Sequence, residues 1–336
     1  MTAESARDPR RGRLRRRTAS VGGVVGGALL FTFLSWLIVP LAVVVDLVTL
    51  KRRLPVTRLV LFAWWWTIAE TGGLVVAAWL FASGRSNDAA AHYRLMGNWA
   101  NWLMRGMRVC LGATIEVMGA EALEGGGSVV LSRHVSLADS LLSAWAITQC
   151  GVEPRYVLKR ELLADPCLDV VGLRLPNHFL DRSAADGGEE LAAIGALTRD
   201  VEPESGTVVV IFPEGTRANS AKRQRAVAKI RETSPERAAR LESLTVLLPI
   251  RPAGTNALLD AAPGIDVIFA RHTGLDGMDT FSGMRRRLAS GVGPIELSFE
   301  RVAGSEVPLG DGRLAWLDQR WLEMDAEVSK RLQHRR

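Results

Sequence analysis

The residues best suited to chemistry in this chain are a histidine and a carboxylate five positions apart, His134 and Asp139 in "SRHVSLADS". They follow directly on the short β-branched run "SVVLS" (128–132). On a continuous helix five steps turn about 500°, which leaves the two side chains roughly 140° apart. The pair meets if His134 lies in a loop and Asp139 in the first helical turn, an arrangement favoured by Ser136 as a cap with Asp139 three residues on. A carboxylate on one imidazole nitrogen fixes the tautomer and supports positive charge when the other nitrogen takes a proton, so His134 is then a general base. The spacing alone favours a surface histidine beside a helix cap.

A second group is "FPEGTR", Phe212 to Arg217, which ends the apolar run "TVVVIF" (207–212) and breaks it with Pro213 and Gly215. Strand-to-loop edges are where α/β folds place ligand groups. Arg217 is suited to hold a phosphate bidentately while Glu214 orients a hydroxyl or Arg217 itself. The alternative is a surface turn closed by an ion pair. The remaining histidines, His178, His272 and His334, have no acidic or cysteine cluster at ligand spacing. "GLDGMD" (274–279) lacks the alternating oxygens of a divalent-ion loop, so no metal is expected.

The elements that must position these groups read as an alternation. Strand-like runs fall at 113–119, 128–132, 155–158, 207–212, 245–250, 265–270 and 294–300, with helical stretches at Leu137–Cys150, Gly188–Arg199 and Ala218–Ser243. That pattern predicts an α/β domain around a mixed sheet flanked by helices. Leu317, Trp321, Met324, Val328 and Leu332 form one helical stripe, read as a terminal helix that covers the domain or touches the membrane.

Ahead of this body, Val21 to Val45 is 25 residues without a charge, enough to cross a hydrocarbon core of about 30 Å. A signal peptide is the alternative, but the apolar region is too long and no small-residue cleavage site follows it. Pro40 is expected to kink this helix near its end, and Asp46 with Lys51, Arg52 and Arg53 marks a polar exit. A second apolar run, Leu59 to Ser83, holds Glu70 near its middle, which is costly in lipid unless paired or facing water. The two runs predict a transmembrane or re-entrant helical hairpin over 21–85, after a basic tail over 1–20 and before an amphipathic helix over 90–112 and a catalytic domain over 113–336. The helix at 90–112 places Leu95, Met96, Trp99, Trp102, Leu103 and Met107 on one stripe, suited either to a core or to a bilayer surface.

Of the formal net charge of +6, +5 sits in residues 1–20, where seven arginines face only Glu4 and Asp8. The tail serves either as a topology signal or as a binding site for anionic headgroups. With two crossings the tail and the globular part share the cytoplasmic side of the cell membrane. The body is nearly neutral and the tryptophans cluster before residue 103, so a nucleic-acid partner is not expected. Three widely spaced cysteines exclude a disulfide framework.

A histidine and aspartate separated by four residues, with an arginine-ended "FPEGTR" about 80 residues later, resembles the glycerolipid acyltransferase family, most closely its 1-acylglycerol-3-phosphate (lysophosphatidic acid) acyltransferases. Between these blocks "LKRELLADPCLDVVGLRLPNHFLDR" supplies the Lys159, Leu162, Pro166, Gly172, Phe179 and Arg182 of a third block, and "VLLPIRPAGT" resembles the fourth at Pro249. The resemblance implies transfer of a fatty acyl group from acyl-CoA or acyl carrier protein to a lysophospholipid hydroxyl, with no covalent acyl-enzyme and no cofactor beyond that co-substrate. It assigns His134 as base and Asp139 as its support. Glu214 and Arg217 would grip the glycerol phosphate, with Gly215 and Thr216 shaping the loop. Lys159 would support the oxyanion, or simply begin a solvated helix, and Arg182 would add a phosphate contact. Two departures stand out: Arg133 precedes the histidine where many members have Asn, and "ANSAKRQRAVAKI" after "FPEGTR" is unusually basic. They leave another lysophospholipid or a glycolipid open as acceptor. A non-catalytic membrane lipid-binding protein of the same fold is the remaining alternative.

Overall fold

A computed structural model describes residues 10–181 and 187–334. The chain begins with three helices, α1 (Arg10–Val48), α2 (Pro55–Ala82) and α3 (Ala89–Leu111). Then follow β1 (Ile115–Met118), β2 (Ser128–Ser132), α4 (Asp139–Gln149), β3 (Glu153–Lys159), α5 (Pro166–Val170), β4 (His178–Leu180) and α6 (Gly187–Gly195). The rest comprises β5 (Thr207–Ile211), α7 (Ser220–Thr233), α8 (Pro235–Leu241), α9 (Pro252–Ala261), β6 (Asp266–Thr273), α10 (Phe281–Ser290), β7 (Ile295–Val302) and α11 (Gly312–His334). These elements divide into two compact units, one of Met1–Thr114, Leu158–Ser183 and Phe281–Gly293, the other of Ile115–Val157, Ala184–Thr280 and Pro294–Arg336.

In the first unit α1 and α2 are both long and apolar enough to cross a membrane. The basic residues from Arg10 onward continue the same helix, and Pro40 sits inside α1 without ending it. Asp46 does not lead out to solvent. It is fully buried and caps α2, with Oδ1 accepting from the Val56 N–H (3.0 Å) and Oδ2 from the N–H and hydroxyl of Thr57 (2.8 and 2.9 Å). Glu70 is also buried, and its carboxyl is met by hydrogen bonds: Oε1 accepts from Trp99 Nε1 at 2.9 Å and Oε2 from the Cys167 N–H at 3.3 Å. Part of the basic tail is structural as well, since Arg16 grips the buried Asp169 through Nε and Nη2 at 3.1 and 3.0 Å, and Arg17 adds a third donor. In α3, Leu95, Leu103 and Met107 are buried and Trp102 is 52% exposed, so half of the predicted stripe packs inside this unit.

In the second unit the strands run β1-β7-β6-β2-β5-β3. All neighbours are parallel except the β6/β7 pair, which makes the sheet mixed, as predicted. Every residue of β2 and β5 is buried, which is why both read as unbroken apolar runs rather than alternating ones. On α11, Trp321, Leu317, Met324 and Val328 are buried, and the Trp321 indole donates to the Leu248 carbonyl at 2.9 Å.

Two expectations are corrected. The helix read over 218–243 breaks at Ser234, where Pro235 starts α8. The run 245–250 is not a strand. The N–H groups of Thr245, Val246 and Leu247 donate to the buried Asp325 carboxylate at 2.7–2.8 Å, and that of Leu248 donates to Glu214 at 2.9 Å. With its donors taken by two carboxylates and Pro249 carrying none, this segment has nothing to offer a strand ladder.

Candidate active site

β5, β2 and β6 are adjacent and parallel, so the loops leaving their C-terminal ends emerge along one edge of the sheet. Those loops carry His134 and Asp139, the 212–218 segment, and the stretch after His272. At the first, β2 stops at Ser132 and a short loop brings the chain to Asp139 at the head of α4. His134 Nδ1 lies 3.0 Å from Asp139 Oδ2. The same oxygen accepts from the Val135 and Ser136 N–H groups at 2.5 and 2.7 Å, while the Ser136 hydroxyl donates to Oδ1. Burial alone would raise the Asp139 carboxyl, but the facing His272, the His134 bond and the Ser136 donor outweigh it and hold it below the ordinary carboxylate range. Asp139 is therefore ionised, and Nδ1 of His134 carries its proton toward it. The His134 side chain is 16% exposed, and its Nε2 has no partner among the described residues.

The 212–218 loop packs directly on this pair. The Phe212 ring sits 4.9 Å from the His134 imidazole, centroid to centroid. The Ala218 N–H donates to the His134 carbonyl at 2.7 Å, and Glu214 Oε1 accepts the His134 N–H at 2.7 Å. Gly215 turns the loop at φ +67°, in the left-handed region that favours glycine, and its N–H closes on the Phe212 carbonyl at 2.9 Å.

The chain from residue 114 to 252, which contains both loops, matches the protein-family model described as Acyltransferase. This stretch is similar to the acyltransferase family. The solved 1-acyl-sn-glycerophosphate acyltransferase of Thermotoga maritima has a similar fold, with a TM-score of 0.52 at 16% identity over 81% of this chain and 96% of that one. No curated protein sequence matches the chain. The family recognised in the sequence is thus borne out.

Within the matched stretch, Glu214 occupies a different position from the one expected of a headgroup ligand. It is 1% exposed and ties the His134 loop to the 245–250 segment through the His134 and Leu248 N–H groups. Burial pushes its carboxyl up to about 8 despite these bonds. Arg217 is half-buried, with Nη1 on the Asp279 carbonyl at 2.8 Å. Lys222, from the basic stretch after the motif, donates to the Arg217 carbonyl at 2.9 Å and the Thr216 hydroxyl at 3.2 Å. Arg217 on the loop and Lys222 on the first turn of α7 thus place two cations side by side. Lys159 ends β3 where the chain passes into the first unit, and Arg182 lies outside the described residues.

Three neighbours of the site were given no structural role in the sequence reading. Arg133 is buried, donating to the His272 carbonyl and to Asp276. His272 faces the far side of Asp139. Asp325 holds the segment to which Glu214 is anchored. The signal for His272 was its place at the end of a buried strand beside the two motif strands, which needs strand order to be read.

Proposed function

We propose that this protein transfers a fatty acyl group from acyl-CoA or acyl carrier protein to the free hydroxyl of 1-acylglycerol-3-phosphate, producing phosphatidic acid, at a bilayer in which α1 and α2 are inserted. The observation that carries the reading is the His134–Asp139 pair, with Nδ1 committed to an ionised carboxylate and Nε2 left open beside the 212–218 loop. In this reaction Nε2 takes the hydroxyl proton as the oxygen attacks the thioester carbonyl. The new C–O bond forms, the C–S bond breaks, and the proton passes from the imidazolium to the departing thiolate. Asp139 stabilises the imidazolium between these steps. Arg217, with Lys222 beside it, offers positive charge to the acceptor phosphate, and Glu214 fixes the backbone of the base. Lys159 and Arg182 are proposed as oxyanion and second phosphate contacts. The similarity of fold to the Thermotoga maritima enzyme supports lysophosphatidic acid as acceptor.

The acceptor is tested by incubating purified protein with a long-chain acyl-CoA, or acyl carrier protein, and a panel of lysophospholipids and glycolipids, and identifying products by mass spectrometry. Phosphatidic acid as the main product is the expected result. A product from another acceptor alone would keep the chemistry and replace the acceptor, whereas no product with any pair would leave a lipid-binding protein as the better account.

A further inference from the structure

The Asp139 carboxylate is bound from both sides. His134 and the 135–136 backbone take Oδ2, while His272 Nε2 lies 3.3 Å from Oδ1. The same Nε2 lies 3.3 Å from the Arg133 carbonyl, so both of its neighbours are acceptors and the ring proton belongs on Nε2. His272 Nδ1 has no partner among the described residues, and the side chain is 2% exposed. A leucine would fill this place without a buried polar atom, so the imidazole costs stability unless its one donor is useful. The charged groups facing it are Asp139, Asp276 and the Arg133 guanidinium, which bonds the His272 carbonyl and Asp276. Burial and Arg133 together push His272 down, against the pull of the two aspartates, and keep it neutral.

The described hydrogen-bond donors to Asp139 come from residues 134–136, its own loop. His272 alone reaches it from β6, a strand of the sheet. We propose that His272 is a positioning residue for the transfer: its neutral Nε2–H donates to the Arg133 carbonyl, which pins the His134 loop to β6, and with Asp139 Oδ1 only 3.3 Å away the positive end of that N–H sets how strongly Asp139 draws on the His134 proton. This rests on the acyl-transfer reading. Removing the donor leaves more negative charge on Oδ2, strengthens its bond to His134, and favours the protonated base.

The test compares the parent, His272→Leu, His272→Gln and His134→Ala, each full-length in detergent. Glutamine carries an amide N–H near the position of Nε2, whereas leucine fills the space without a donor. In His272→Leu, kcat should fall by about 10- to 100-fold with both KM values within about two-fold, and the acid limb of the pH–rate profile should move to higher pH. His272→Gln should restore most of the loss. The downfield Nδ1–H resonance absent from His134→Ala should move further downfield in His272→Leu and stay in place in His272→Gln, a reading that needs no turnover. Parental kinetics and resonance in folded His272→Leu would overturn the proposal, as would equal impairment of both His272 variants. An inactive parent would instead sink the acyl-transfer reading, with the resonance still deciding whether His272 tunes Asp139.

Discussion

At the scale of single residues, the site depends on two carboxyls with opposite burdens. Asp139 is ionised because four hydrogen-bond donors from its loop surround it and His272 faces it, so Asp139→Asn replaces an acceptor by a group that must itself donate. A fall in kcat of about 10²- to 10⁴-fold is expected, with KM little changed, measured by steady-state thiol release. Glu214 is the reverse case, with a folded-state value raised from 4.5 to about 8. Its contribution to stability is fully present below the unfolded value and is lost as pH rises toward 8, because the buried group must then ionise. Glu214→Gln removes that cost, so the melting temperature of the variant relative to the parent should climb between about pH 4.5 and 8 and level off above. A difference that stays constant across this range would show that Glu214 is ionised throughout. The sequence named both residues but could not separate their tasks. Motif spacing reports which side chains share a site, whereas burial and backbone partners decide which one meets the substrate.

At the scale of elements, the helices and central strands were legible because β2, β5 and β6 are long apolar runs and α11 shows one clear stripe. The failure at 245–250 has a local cause, since "TVLLPI" is strand-like by composition but its N–H groups are claimed by Asp325, 80 residues away in sequence. Asp325→Ala strands those donors and is expected to destabilise the domain by about 3 kcal/mol, read from chemical denaturation. The contact of α2 with α3 was equally hidden. A Cβ on Gly106 would lie 2.4 Å from the Trp65 ring, whose indole donates to the Trp102 carbonyl at 2.8 Å, whereas a Cβ on Gly72 meets nothing within 4 Å. Gly106→Ala should therefore cost about 1–3 kcal/mol, and Gly72→Ala should be neutral or slightly stabilising through helix propensity. Equal thermal shifts in the two variants would contradict this packing.

At the scale of the whole molecule, the composition already separates a membrane part from a nearly neutral catalytic part, and the structure gives the division a physical form. Leu29, Phe33, Trp36 and Leu41 on α1, with Val75, Trp79 and Phe81 on α2, are exposed, and each apolar side chain left in water forgoes about 1.5–3 kcal/mol. The intact protein should float with phospholipid vesicles and resist extraction at alkaline pH, whereas recovery in the aqueous phase would exclude an inserted hairpin. Glu70 and Asp46 within this part are not obstacles to insertion, because hydrogen bonds inside the unit satisfy them. Neither partnership was readable from the sequence, since each joins positions separated by a turn or by a long stretch of chain. The claim on which the rest depends is that the open Nε2 of His134 removes a proton from a lipid hydroxyl. Thiol release from a long-chain acyl-CoA, or from acyl carrier protein, by the full-length protein is the most direct measurement, with and without lysophosphatidic acid, alongside His134→Ala matched for folding. The account predicts acceptor-dependent release that falls by at least about 10²-fold in the variant, and release that is independent of His134 would contradict it.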